Sequence, residues 1–171
     1  MNSKDTLKSE YGGLTTITYE KEGFSKEKHV DELIGLMREN LGDEFQDGRL
    51  EEILLSGHAI THTRGKQPPS RGDSSLGYGI LNLGEPFSEV EEFYIGQGLS
   101  EDHATMVGIE IIQQQLELAR LKGSRGVLFL PIGIDNSLYK GIFESSNVQS
   151  ELESLRDVSQ TPGVIRYSGR F

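Results

Sequence analysis

The sequence predicts an α/β fold in which helices pack against a central sheet, and three consecutive segments carry this prediction. Residues 90–99 (VEEFYIGQGL) contain strand-forming residues, and two glycines weaken the strand near its end. A helix follows from residue 104 or 105 to 122, because apolar residues recur there at helical spacing and a glycine stands at its C-terminal end. The run 127–130 (VLFL) is continuous and apolar, which is typical of a central strand covered on both faces.

The remaining elements follow from the same periodicities and from glycine, proline and serine as turn residues. Before the central segments, the sequence predicts a strand at 14–19, a helix that Ser25 caps and Gly42 ends, a helix at 49–55, a strand at 59–63, a loop at 64–75 and a strand at 76–83. After them, it predicts a short helix at 136–143, a helical segment at 149–159 and a last strand at 164–171.

The length of 171 residues fits a single domain. We predict a flexible lead over residues 1–13, which end in two glycines, and one domain over 14–171. No segment approaches the roughly 18 apolar residues that a membrane span requires. The N-terminus lacks the apolar region of a secretory signal, so we expect a cytoplasmic protein without a membrane partner.

The charge and the missing cysteines exclude several function classes. The chain has 17 basic and 27 acidic residues and a formal charge of −10, which disfavours nucleic acid as a partner. It has no cysteine, so disulfides, thiolate metal sites and cysteine nucleophiles are excluded. The chemistry must come from oxygen and nitrogen groups, and we expect no metal.

Three local segments and the order of elements resemble the GNAT superfamily of N-acetyltransferases over residues 14–171. The segments are 76–82 (LGYGILN), 108–130 (GIEIIQQQLELARLKGSRGVLFL) and 135–143 (DNSLYKGIF). The resemblance implies a mixed, mostly antiparallel central sheet flanked by helices. It also implies direct transfer of an acetyl group from acetyl-CoA to a primary amine of a small molecule or peptide. A homodimer is compatible with it.

The resemblance also implies a coenzyme site where the long helix begins. A helix N-terminus presents unpaired amides to a pyrophosphate. The family writes this turn Gln/Arg-x-x-Gly-x-Gly/Ala, which falls on 103–108 here, and only the last glycine agrees. The expected coenzyme contacts are Leu99, Thr105, Met106, Val107, Gly108, Ile109 and Asn136. Two alternatives stay open, namely that Thr105 is only an N-cap and that Gly108 only permits close packing.

The candidate catalytic residues are Tyr139, Glu92 and His103. On the resemblance, Tyr139 occupies the position of a tyrosine that protonates the departing thiolate. Glu92 and His103 are candidate bases for the amine proton. Glu91 precedes Glu92, and adjacent strand residues point to opposite faces, so we expect at most one of them to face the cleft.

Two other interpretations compete with an active acetyltransferase. The first is a ribonuclease H-like domain whose first strand begins near Ile53, with Glu110 and Asp135 as carboxylates. Ser56 stands where that chemistry needs an aspartate to hold metal ions, so this domain would be catalytically degenerate. The second is a non-catalytic GNAT-like scaffold that binds a protein or a small molecule.

Overall fold

The computed structural model describes residues 7–21, 29–67 and 72–171, and these contain five α-helices and ten strands. The helices are α1 (Val30–Leu41), α2 (Arg49–Leu55), α3 (Glu101–Leu121), α4 (Ser137–Phe143) and α5 (Ser146–Gln149). The strands are β1 (Leu7–Tyr11), β2 (Leu14–Tyr19), β3 (His58–Lys66), β4 (Asp73–Asn82), β5 (Phe87–Ile95), β6 (Gly126–Leu128), β7 (Ile132–Gly133), β8 (Ser154–Asp157), β9 (Val164–Ile165) and β10 (Tyr167–Arg170).

Eight strands form one twisted sheet in the order β1-β2-β3-β4-β5-β6-β10-β8, and β7 pairs separately with β9. Every neighbouring pair in the large sheet is antiparallel except β5 with β6. Helices α1 and α2 share one apolar core with β2, β3 and β4, whereas α3 and α4 share another with β4, β5 and β6. The predicted α/β fold with a mixed, mostly antiparallel sheet flanked by helices is confirmed.

Glycines in β4 allow α3 to lie unusually close to the sheet. A Cβ at Gly79 would stand 2.7 Å from Nε2 of Gln115, and one at Gly77 would stand 3.0 Å from the Val107 side chain. Glycine in a strand often marks such a close approach. The long helix is thereby fixed tightly against the strand next to β5.

The N-terminal segment differs from the predicted flexible lead. Leu7–Tyr11 pairs with β2 along its full length, from Leu7 opposite Thr18 to Tyr11 opposite Leu14. The two glycines at 12 and 13 both have positive φ and form the turn of this hairpin. Gly12 and Gly13, which in the sequence indicated a flexible lead, therefore form the turn that adds β1 to the sheet. Residues 1–6, and the Ser25 expected to cap the first helix, lie outside the described residues.

Two predicted elements and one strand of an alternative interpretation differ from the structure. The long helix begins at Glu101 instead of 104 or 105, because Ser100 caps it. Within the segment 149–159, Ser154–Asp157 form strand β8 instead of helix, because their backbone pairs with β10. The first strand of the ribonuclease H alternative is also absent, since residues from Ile53 to Leu55 belong to α2. That alternative is overturned by the sheet order. Among the described residues, no helix has both the length and the apolar character that crossing a bilayer requires.

Candidate active site

Strands β5 and β6 form a wedge that opens toward the end of β5. They pair over only three residues each, and the last pair is Glu89 with Leu128. The chain of β6 then turns toward β10, because the Phe129 amide donates to the Tyr167 carbonyl at 2.9 Å. Strand β5 continues to Ile95. Its backbone beyond Glu89 therefore has no partner strand on this side within the described chain.

The Tyr139 hydroxyl lies at this unpaired edge and accepts a hydrogen bond from the Ile95 amide at 3.2 Å. Asn136 caps α4 by accepting from the Tyr139 amide at 3.1 Å. The Tyr139 ring packs edge-on against Phe93, with 4.9 Å between ring centroids, and lies 6.4 Å from the ring of Phe143. Burial raises the pKa of Tyr139. The phenol therefore stays protonated at neutral pH and is available as a proton donor.

Helix α3 begins shortly after the end of β5 with two carboxylates in its first turn. Ser100 Oγ accepts from the His103 amide at 3.2 Å, and the Ser100 carbonyl accepts from the Ala104 amide at 2.8 Å. The amides of Glu101 and Asp102 remain as the donors that an anion can reach. A helix N-terminus favours anions, but here the acidic side chains place negative charge at the same position.

The seven residues expected to contact coenzyme take different positions. Leu99 precedes α3, Asn136 caps α4, and Thr105, Met106, Val107, Gly108 and Ile109 all lie inside α3. The backbone amides of the last five residues therefore form hydrogen bonds within the helix. The Thr105 hydroxyl donates to the Glu101 carbonyl at 2.8 Å, so Thr105 is not the N-cap. Met106 is 37% exposed, and its Cε is 3.3 Å from the position that a Cβ on Gly12 would occupy, whereas Val107 is fully buried.

Gly108 is a packing residue at the crossing of α3, α4 and β5. A Cβ there would lie 2.3 Å from Cδ1 of Ile142 and 3.2 Å from Cζ of Phe93. A side chain fits in this space only if the Ile142 side chain of α4 moves. Because α4 carries Tyr139, the glycine helps to set the distance between Tyr139 and β5.

Glu92 lies on the α2 side of the sheet, where it forms an ion pair with Arg49. It also accepts a hydrogen bond from the Tyr78 hydroxyl, and Tyr78 in turn accepts from Nδ2 of Asn40 at 2.9 Å. Burial, followed by the negative charge of Glu92, raises the pKa of Tyr78. Within the described residues, no hydrogen bond or ion pair joins Glu92 or His103 to Tyr139.

A β-bulge in β5 brings Glu91 and Glu92 to the same face. Ile80 pairs with Glu92 and Leu81 pairs with Val90, so Glu91 is the extra residue. Both carboxylates line a cavity of about 300 Å³ beside α2. This cavity is not the predicted catalytic cleft, so the expectation that at most one of them faces that cleft stays a prediction, although the strict alternation behind it holds only in a regular strand.

Arg166 joins the two strands where they part. Its Nε donates to the Phe129 carbonyl at 3.0 Å, and its guanidinium also pairs with Glu89 of β5. Glu89 belongs to the last β5–β6 pair, and Phe129 directly follows Leu128, its partner in that pair. Arg166 thus holds the vertex of the wedge. No sequence pattern indicates this contact, because it depends on the position of β10.

Glu39 and Tyr94 lie near the end of β5, and neither was predicted as a site residue from the sequence. Oε2 of Glu39 is 3.7 Å from the position that a Cβ on Gly96 would occupy. Burial, and next the Glu39 carboxylate, raise the pKa of Tyr94 to about 12. A signal existed, because Glu32 and Glu39 are seven residues apart and therefore share one face of α1. It was overlooked because surface carboxylates on helices are common.

A metal centre finds no support in the described part of the chain, which contains no group of three or more His, Asp or Glu side chains arranged to hold an ion. Glu110 lies in α3, and burial raises its pKa. Asp135 lies in the turn before α4. The carboxylates of the ribonuclease H interpretation are thus not assembled into a site.

Comparison with known proteins adds information on the fold. No protein-family model and no curated protein sequence matches the chain. The solved structure of the protein yncA from Salmonella typhimurium, with its cofactor acetyl-CoA, matches with a TM-score of 0.55 and 12% identity over 94% of each chain. The paiA N-acetyltransferase from Thermoplasma acidophilum, in complex with coenzyme A, matches with a TM-score of 0.56 and 7% identity, over 84% of this chain and 94% of that one.

The AHL synthase LasI is similar as well, with a TM-score of 0.61 and 8% identity over 92% of this chain and 89% of that one. These similarities extend over nearly the whole of each protein. At such low identity they concern the fold, which is that of the GNAT N-acetyltransferases. The family resemblance predicted from the sequence is confirmed at that level.

Proposed function

We propose, with the GNAT fold as premise, that the protein transfers an acetyl group from acetyl-CoA to a primary amine of a small molecule or peptide. The observation that carries the proposal is the pairing of the Tyr139 hydroxyl with the Ile95 amide at the unpaired edge of β5. A proton donor and a backbone hydrogen-bond donor thereby meet at one point. This is the arrangement that departure of a thiolate and charge on a carbonyl oxygen require.

The wedge supplies the binding surface for the donor. The free backbone edge of β5 can hydrogen-bond an extended arm with amide groups, such as pantetheine, in the manner of an added strand. Leu99 precedes the start of α3, and Asn136 caps the start of α4. Both helices begin near the wedge, and we propose these two residues as coenzyme contacts. The pyrophosphate would face the amides of Glu101 and Asp102, whose carboxylates weaken the attraction.

The reaction needs few groups from the protein. The amine nitrogen attacks the thioester carbon, so that a C–N bond forms, the C–S bond breaks and the nitrogen gives up one proton to a base or to solvent. Tyr139 gives its proton to the sulfur, and the Ile95 amide donates to the oxygen on which negative charge develops. Arg166 and Gly108 hold the strand and the helix that carry these two groups.

The decisive experiment is a titration of the protein with acetyl-CoA, followed by calorimetry and by thermal unfolding. Binding below millimolar concentration, with a raised melting temperature, is expected. A thiol-release assay with a panel of primary amines then tests transfer. Absence of binding at millimolar acetyl-CoA would rule out the proposed enzyme.

A non-catalytic scaffold is the second candidate, and one observation favours it. The two carboxylates in the first turn of α3 oppose an anion at the place where the fold offers its anion site. A folded protein that binds neither acetyl-CoA nor coenzyme A would support this alternative.

A further inference from the structure

A cavity of about 300 Å³ lies between α1 and the ends of β4 and β5. Its lining includes Glu32, Leu36, Glu39, Ser75, Gly96 and Gln97. Gly96 directly follows Ile95, the residue whose amide faces Tyr139. The cavity therefore adjoins the point where, on the proposed function, the thioester would lie.

The two carboxylates of this cavity have different partners. Glu32 accepts from Nε of Arg64 at 2.8 Å and from its Nη2 at 3.1 Å. Burial alone would raise the pKa of Glu32, but Arg64 outweighs it and holds that pKa below its ordinary value. Glu39 forms no ion pair within the described residues, and its Oε2 lies over the backbone of Gly96. Of the two, Glu39 is the carboxylate that can take up a proton or a cation from a bound molecule.

Tyr94 extends this arrangement toward the strand. Its hydroxyl is buried, and within the described residues it has no hydrogen bond of good geometry. The Glu39 carboxylate is nevertheless near enough to contribute to its raised pKa. A neutral phenol beside a carboxylate can donate to it, so Tyr94 is placed to fix the orientation of Glu39 once a ligand excludes water.

We infer that Glu39 accepts the proton of the acceptor amine, and that this amine enters through the cavity under α1. The inference rests on the proposed function. As the nitrogen bonds to the acyl carbon, its proton passes to the Glu39 carboxylate while Tyr139 protonates the leaving thiolate. Glu39 then releases its proton to solvent, and Tyr139 takes up a proton from solvent in place of the one that it gave to the sulfur. Overall, one proton moves from nitrogen to sulfur.

The position of Glu39 distinguishes it from the other two candidate bases, Glu92 and His103. Glu92 is occupied by Arg49 and Tyr78 on the α2 side. His103 lies in the first turn of α3, where its amide bonds to the N-cap. Glu39 adjoins the residue after Ile95 and has no competing cation among the described groups.

The test compares Glu39→Gln with Glu32→Gln, which removes the other carboxylate of the same cavity. Glu39→Gln should lower kcat/KM by about 100-fold or more at neutral pH, as expected for loss of a general base, with acetyl-CoA affinity unchanged. The deficit should shrink at higher pH, where hydroxide can take the proton, and with a weakly basic amine, whose nitrogen becomes acidic enough on attack to lose its proton to water. A purely structural role would not produce this dependence.

Three outcomes are distinguishable. A Glu39→Gln enzyme within threefold of the parent, or with a deficit independent of pH and of amine basicity, overturns the inference and leaves the proposed function standing. A larger and equally pH-dependent deficit in Glu32→Gln overturns the assignment to Glu39. A parent protein that binds no acetyl-CoA and acetylates no amine overturns the proposed function and this inference together.

Discussion

The Ile95 amide donates to the Tyr139 hydroxyl at 3.2 Å, and this bond connects β5 to α4 across the open side of the sheet. An amide at a free strand edge would otherwise face solvent or a ligand. On the proposed function, a thioester carbonyl would need the place that this phenol occupies. We therefore expect binding of the donor to shift the hydroxyl by a small distance toward the sulfur.

Replacing Tyr139 by Phe should reduce turnover much more than coenzyme affinity. Loss of a general acid typically costs about 100-fold or more in kcat, whereas the ring contacts with Phe93 and Phe143 would remain. Steady-state kinetics with a coenzyme titration would check this. Tyr11→Phe is the matched control, since Tyr11 is 65% exposed and remote from the wedge in β1.

An unchanged rate in Tyr139→Phe would remove the phenol from the acid role. The parent should also retain its activity as pH rises toward 10, because burial keeps the pKa of Tyr139 above its ordinary value. A loss of activity that begins near pH 8 must then come from another group.

Glu92→Gln should affect stability more than catalysis. The substitution removes one partner of a half-buried ion pair and leaves Arg49 and the Tyr78 hydroxyl poorly matched. The free energy of unfolding should fall by about 1–3 kcal/mol. Urea unfolding and kinetics on the same sample provide the measurement. A stable variant with a rate lowered 100-fold would instead identify Glu92 as the base.

Gly108→Ala should destabilise the protein by about 1–3 kcal/mol through overpacking against Ile142. Gly141→Ala is the control, because a Cβ there would meet nothing within 4 Å. In the control, the higher helix propensity of alanine should leave stability equal or raise it by up to about 1 kcal/mol. Thermal unfolding of both variants checks the difference. Equal melting temperatures would contradict the packing role of Gly108.

Removing the two carboxylates at the start of α3 should tighten coenzyme binding. In Glu101→Gln with Asp102→Asn, each lost charge changes the interaction with an anion by about 0.3–1 kcal/mol, so the Kd for acetyl-CoA should fall by roughly three- to thirtyfold at low salt. Stability should decrease slightly, since the same charges favour the helix dipole.

The matched control for this experiment is Asp43→Asn with Glu44→Gln, which removes two exposed charges from the turn after α1. The control should leave the Kd nearly unchanged. Calorimetry at low and high ionic strength should also show that the gain shrinks as salt screens the charges. If both double variants tighten binding equally, the effect reflects net charge instead of the position of Glu101 and Asp102.

The sequence predicted the fold well where periodicity was strong. The long amphipathic helix and the apolar run after it were identified because their patterns are local. Tyr139 was identified in a different way, through the family resemblance alone, and its position beside the wedge depends on how α4 packs against β5. Whether it acts as the acid remains a prediction.

The misses have a common physical origin in contacts between distant segments. Glu39 reaches Gly96 only because α1 packs over β4 and β5. The bulge at Glu91 depends on the register with β4. The segment that contains β8 was predicted as helix, because charged residues between turns are compatible with either a helix or a strand. Pairing with β10 determines that it is a strand. Single-sequence patterns contain none of these relationships.

The hairpin of β1 and β2 determines where the chain can be shortened. Strand β2 is buried along nearly its whole length, and β1 covers its outer hydrogen-bonding edge. Cutting before Leu14 would expose that row of amides and carbonyls as a template for pairing with other molecules. A shortened protein is therefore expected to self-associate, and expression trials should retain the chain from at least Leu7.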